Sequence, residues 1–188
     1  MEVIDQKTEE GYNLFHLAVL KGDLKMIKFI MELEVIGEEF LNAKDPQGNT
    51  VMHLSTKTAS STDTIIEMLL NEKRIKVDIK NDKGNTVLHK LAQYSPVFDN
   101  KFLSAIIQRG LDINVKNYAG DTALHLACRA GSLNMVDLLI QNGASINLRN
   151  NQGHTPLELA INNGHVKILP KLNRIERSME SSHRHVSK

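Results

Sequence analysis

A six-residue pattern recurs along this chain at a nearly constant interval, and that recurrence limits the fold more than any other feature. It reads GNTVMH at Gly48–His53, GNTVLH at Gly84–His89 and GDTALH at Gly120–His125. Weaker copies stand at Gly11–His16 (GYNLFH) and Gly153–Glu158 (GHTPLE). The five glycines are separated by 37, 36, 36 and 33 residues. A unit of that length is too small to bury its own apolar surface, so successive units must stack on one another.

The unit is most legible over residues 117–150. Gly120 ends an opening turn, where a residue without Cβ takes positive φ. Thr122 is placed to cap a helix with its hydroxyl, and Leu124, Leu126 and Ala127 follow at helical spacing. Gly131 breaks that helix. Leu133, Val136, Leu139 and Ile140 then form a second apolar stripe, Gly143 stops it, and Ile146 carries the chain outward. The product is a turn followed by two short antiparallel helices.

In period and content the chain resembles the ankyrin-repeat family from about Thr8 to Leu172. The resemblance implies an all-α solenoid of about five stacked helix pairs joined by β-turn or hairpin loops. The expected repeats cover about 8–44, 45–80, 81–116, 117–149 and 150–172. A frayed N-terminus over 1–7 and a disordered basic tail over 173–188 are expected at the ends.

Several departures from the pattern carry their own expectations. The first copy has Asn13 and Leu14 where Thr-Pro is usual, as a capping repeat does. It also has about four extra residues after its second helix, in a stretch holding Glu32, Glu34, Glu38 and Glu39, which predicts a longer helix or an acidic loop. The inner turns KTASSTD and QYSPVFDNK are longer than the period requires. In the first, Ser61, Thr62 and Asp63 offer cap oxygens. In the second, Pro96 ends the preceding helix. Lys90 stands where Leu is usual, which predicts a one-residue shift of the apolar register and loosely placed Gln93 and Tyr94. Pro170 predicts that the last helix starts late, kinks or is cut short.

Charge and cysteine usage narrow the class. A formal net charge of +1 argues against a nucleic-acid binder. The distribution is uneven: residues 1–40 carry nine acidic and four basic side chains, residues 165–188 two acidic and six basic. An acidic head and a basic foot are expected. The single cysteine, Cys128, excludes an internal disulfide framework and suits a reducing compartment. No signal-like leader and no apolar run of membrane length are apparent. The expectation is a soluble intracellular protein, cytoplasmic with access to the nucleus, without membrane contact and monomeric when free.

His16, His53, His89 and His125, one per unit, look like a metal-ligand series. Stacked helices stand about 8–10 Å apart, whereas zinc needs its nitrogens at about 2.0–2.1 Å, so the spacing excludes one shared site. The family resemblance implies a structural role for them instead. Cys128, at a position where the family has a small alanine, reads as a buried small hydrophobe. No HExxH, GxxxxGK[ST], GxSxG or kinase-like signature is present, so no catalytic residue, metal or cofactor is assigned.

What remains is surface. The resemblance implies a concave partner-binding face made of turn tips and the exposed side of each first helix. Carried over by position, the tips are Pro46, Gln47 and Asn49; Asp82, Lys83 and Asn85; Tyr118, Ala119 and Asp121; Asn151, Gln152 and His154. The helix positions are Leu20, Lys21, Lys57, Thr58, Arg129, Ala130, Asn162 and Asn163. Tyr118 is the expected anchor, since aromatic residues dominate interface energetics.

Within the family the chain is similar to the inhibitor-of-κB (IκB) branch in its EEGYNLFHLAV opening, in FLNAKD after a lengthened first helix pair, and in its long middle turns. No serine precedes Ser55, so the Asp-Ser-Gly degron of that branch is lacking, and the tail is basic rather than acidic. In this it resembles the short virus-encoded IκB-like proteins of parasitoid-wasp viruses. That resemblance implies immune suppression by holding a host Rel/NF-κB dimer, without signal-dependent degradation. Glu32, Glu34, Glu38 and Glu39 would then attract its basic nuclear-localisation segment. An adaptor, scaffold or effector with another protein target is the alternative.

Overall fold

Short helices alternate with tight turns throughout the computed structural model, which describes residues 6–57, 62–94 and 99–174. In chain order they are α1 (Leu14–Lys21), α2 (Leu24–Glu32), α3 (Glu38–Leu41) and α4 (Val51–Leu54), the last prolonged by a 3-10 turn over Ser55–Lys57. Then follow α5 (Thr62–Asn71), α6 (Val87–Tyr94), α7 (Asn100–Gln108), α8 (Ala123–Ala130), α9 (Leu133–Gln141) and α10 (Pro156–Asn162). Helical backbone resumes over 169–174, and no strand occurs among the described residues. The fold is an all-α ankyrin-type solenoid, as expected.

Two of the helix pairs turn on a glycine. Gly22 and Gly131 close α1 and α8 with φ of 69° and 75°, a left-handed conformation that only glycine adopts cheaply. Asp23 then accepts from the Met26 amide and starts α2. The helices after the turns form one layer: α8 lies between α6 and α10, and α1 packs on α4. The second helices form the other layer, where α5 meets α7. Between the layers runs one continuous core, with Phe15, Ile27, Leu54, Ile66, Leu88, Leu91, Leu124, Ala127, Val136 and Leu139 buried.

Two arginines tie successive second helices together at their C-terminal ends, where carbonyls lack intrahelical partners. Arg74 donates to the carbonyls of Met31 and Ile36 at 2.6 and 2.8 Å while Glu72 holds its fork from the other side. Arg109 donates to the carbonyls of Leu70 and Glu72 at 2.8 and 3.1 Å, and to those of Lys73 and Ile75. A planar guanidinium reaches several carbonyls at once, which a lysine does not.

Three expectations are corrected here. The extra residues of the first unit neither lengthen α2 nor form an acidic loop. Instead α2 ends at Glu32, and α3 folds back as a separate helical turn that buries Leu41. Lys90 causes no register shift: Val87, Leu88, Leu91 and Ala92 are buried as Ala123, Leu124, Ala127 and Cys128 are in α8. Lys90 occupies the place of Leu126, its methylene stem supplying the apolar packing. The third correction concerns the turn residues and follows below. Residues 166–168 form a turn and the helix starts at 169, so Pro170 lies in a first turn, where no amide is needed. Thr58, Ser61, the Thr62 side chain, Pro96 and the tail from residue 175 lie outside the described residues.

Candidate partner-binding face

The turns form a ladder. In three of them an Asx side chain, buried at Asp45 and Asn81 and half-buried at Asn117, accepts from two amides further on: Asp45 Oδ1 from Gln47 and Asn49, Asn81 Oδ1 from Lys83 and Asn85, Asn117 Oδ1 from Ala119 and Asp121. Backbone bonds then link one turn to the next: the Asp82 amide to the Gln47 carbonyl, Tyr118 to Lys83, and Asn151 to Ala119, at 3.2, 3.2 and 3.1 Å. The turns approach so closely that a Cβ on Gly84 would lie 2.6 Å from the Tyr118 nitrogen, and one on Gly120 2.6 Å from that of Asn151.

Side chains supply two more sets of rungs. The amide of Asn81 donates to Asn49, that of Asn117 to Asn85, and that of Asn150 to Asp121, at 2.8, 2.9 and 2.7 Å. Lys44 donates to the Lys80 carbonyl, Lys80 to that of Lys116, and Lys116 to that of Arg149. Arg149, at the next position of this series, turns back to Gly153 and Glu158 of its own turn.

The histidines complete the ladder. Nδ1 of His53, His89 and His125 lies 3.1, 3.2 and 3.1 Å from the backbone nitrogen of Thr50, Thr86 and Thr122. Nε2 faces the carbonyls of Asn85, Asp121 and His154 in the following turn at 2.8, 3.0 and 3.1 Å. A carbonyl only accepts, so the proton sits on Nε2 and Nδ1 accepts. His16 does the same between Asn13 and Ala43. Burial, the largest influence, pushes His53 and His89 down to about 4. Both ring nitrogens are thereby engaged. In the fifth turn Glu158 takes the histidine's place and accepts from the Thr155 amide at 2.7 Å.

This geometry sorts the residues expected to meet a partner. Pro46, Gln47, Asp82, Lys83, Tyr118, Ala119, Asn151 and Gln152 are exposed, His154 is half-buried, and Leu20, Lys21, Lys57, Ala130, Asn162 and Asn163 are exposed on their helices. Asn49, Asn85 and Asp121 are not tip residues, at 4 %, 5 % and 2 % exposure. Their side chains turn inward to the neighbouring turn, because a buried amide or carboxylate must be hydrogen-bonded there. Asp121 is further held by Arg129 at 2.8 Å. Glu32, Glu34, Glu38 and Glu39 are exposed, but Glu38 pairs with Lys76 at 3.2 Å and Glu32 with Lys28 at 3.7 Å.

Between the third and fourth turns lies a groove of about 420 Å³. Asp82, Lys83, Asn85, Tyr118, Asp121 and Arg129 line it, together with Lys90, Gln93, Tyr94 and Leu126, and none of the four N-terminal glutamates does. Tyr118 lies across Gly84 yet stays 67 % exposed. Lys90 is 8 % exposed, with its ammonium 5.5 Å from the centre of the Tyr94 ring. Its pKa is lowered, first by burial and then by Lys57 and Lys83. Sequence reasoning read Lys90 only as a break in register, and it missed Arg74 and Arg109. The visible signal for the last two is that they are the only arginines before Arg129, in a stretch rich in lysine.

Cys128 is fully buried and its thiol is pushed up to about 12 by desolvation, which leaves no thiolate for chemistry. No helix among the described residues is long and apolar enough to cross a membrane. Comparison with curated proteins gives no match. A family model described as ankyrin repeats (3 copies) matches residues 15–117 and 98–176. With the stacked turns, the histidine rungs and this match over most of its length, the chain belongs to the ankyrin-repeat family, whose members are protein-interaction modules.

Proposed function

We propose that this chain is a non-catalytic binding protein that holds its partner on the face made by the turn tips and the first helices. The observation that carries this reading is a division of labour in the turns. Inward side chains and the backbone satisfy one another, whereas the side chains of Pro46, Gln47, Asp82, Lys83, Tyr118 and Gln152 are exposed, three of them (Pro46, Asp82, Tyr118) resting on the glycine of the preceding turn. Residues so placed are free to be chosen for a partner. The finer reading, supported by the resemblance of the opening and of FLNAKD to the IκB branch, is a Rel/NF-κB dimer held in the cytoplasm. Glu34 and Glu39, which have no ion pair among the described residues, would attract its basic nuclear-localisation segment.

Surface plasmon resonance against purified Rel homology dimers at two salt concentrations tests it. Replacing the four glutamates by lysine is expected to slow association, and Tyr118→Ala to speed dissociation, by about 1–3 kcal/mol. An absence of binding at micromolar dimer would discard the Rel reading and leave an adaptor for another protein.

A further inference from the structure

Among the described residues, Lys90 is the one buried side chain of the first helices whose charge the fold pairs with no carboxylate. Its counterpart in the next unit is Leu126, so an apolar side chain satisfies the packing at this position. Instead a lysine sits there, 8 % exposed as a residue, its stem in the packing and its side chain lining the groove, and the partial desolvation of its charge costs free energy unless something pairs with it. Among the described residues its ammonium meets the Tyr94 ring, 5.5 Å from the ring centre, but no carboxylate pairs with it. No ion pair reaches Lys57, Lys83 or Lys90 among the described residues. Residues 58–61 (TASS) and 95–98 (SPVF), next to them in sequence, contain no carboxylate.

The carboxylates nearby are largely committed. Asp121 is held by Arg129 and Asn150. Asp45 accepts from the Gln47 and Asn49 amides and from the Asn49 side chain. Only Asp82, exposed on the rim, is left to face the lysines. Around Lys90 the groove therefore presents a cationic floor between two aromatic residues, Tyr94 at 51 % and Tyr118 at 67 % exposure.

We propose that this groove receives an extended acidic segment of the partner protein, with one carboxylate accepting from the Lys90 and Lys83 ammonium groups and a neighbouring apolar side chain resting on Tyr94 and Tyr118. The proposal rests on the reading of this face as the docking face and names what sits in its middle. Aspartate or glutamate fits better than a phosphoryl group. Lysines act as point charges, while the one guanidinium in the lining, Arg129, has its charge already paired with Asp121 through one terminal nitrogen.

The probe is a fluorescein-labelled peptide of alternating glutamate and leucine, followed by fluorescence anisotropy, with a glutamine–leucine peptide as its neutral counterpart. The acidic peptide is expected to bind and to weaken as salt is added. Lys90→Met keeps the buried stem, and Lys83→Gln lies on the surface, so both variants fold. Each is expected to weaken the acidic peptide, Lys90→Met by roughly tenfold or more. Carbodiimide should couple the peptide to Lys90 or Lys83, read by peptide mapping. Equal binding of the neutral peptide, unchanged binding by Lys90→Met, or coupling confined to other lysines would overturn the proposal. If the peptide fails while Rel dimers still bind and are lost with Tyr118→Ala, the acidic occupant falls and the docking face stands. If the peptide binds at Lys90 and Rel dimers do not bind, the groove stands and the Rel reading falls.

Discussion

Neutral imidazole is a requirement at His53 and His89. Nδ1 must accept from the threonine amide while Nε2 donates to the next turn, and an added proton on Nδ1 would face another donor. Burial holds both near 4, below the ordinary imidazole value of 6.5. The stabilisation is therefore complete above about pH 6.5 and is lost as pH falls toward 4, at about 1.4 kcal/mol per pH unit for each histidine. Urea midpoints measured across this range should fall with acid, and His89→Ala should flatten the fall while lowering stability near neutrality by about 2–4 kcal/mol. At Gly84, alanine meets both a φ of 73° and the Tyr118 backbone, so a loss of more than about 1–2 kcal/mol is expected by the same measurement. These positions were readable because turn and cap are local signals. Asn49, Asn85 and Asp121 were misread as surface because a polar letter in a turn does not say which way it points. Their partners lie about one period away along the chain, and only stacking reveals them.

Among the elements, the contrast between α6 and α8 is the most informative. The two helices share a register, yet α6 carries Lys90 where α8 carries Leu126. The sequence suggested a slip; the long stem of lysine makes one unnecessary. Lys90→Leu should consequently raise the urea midpoint, since a desolvated ammonium is exchanged for a side chain the site already accommodates in α8. An unchanged or lowered midpoint would show that Lys90 carries no such cost. The second-helix layer depends on different chemistry. Arg109→Lys keeps the charge but gives up most of the carbonyls at the end of α5, so a loss of about 1–3 kcal/mol is expected, with faster amide exchange over residues 72–78. Neither arginine forms a motif in the chain, because each acts on the carbonyls of the preceding unit.

In the molecule as a whole, the principal helix contacts among the described residues run between neighbouring units, so stability should be greatest where a helix has neighbours on both sides. Native-state hydrogen exchange should show highest protection in α6 and α8, declining toward α1 and α10; uniform protection would contradict a nearest-neighbour stack. The period and the paired apolar stripes made this architecture legible, since they depend on spacing alone. The groove was not legible, because it is formed by residues from two units whose side chains meet only after stacking. Its members Lys90, Tyr94 and Tyr118 belong to no common motif.

Glu158 has a consequence of another kind. Each earlier histidine passes a proton donor forward to the following turn, and each ladder lysine does likewise. A glutamate at the corresponding place only accepts, and Arg149 turns one terminal nitrogen back to its own turn. In the language of polymers, the fifth turn is a chain terminator. It accepts the rungs that Lys116 and His125 offer, and a further copy stacked at this end would receive no donor from Glu158.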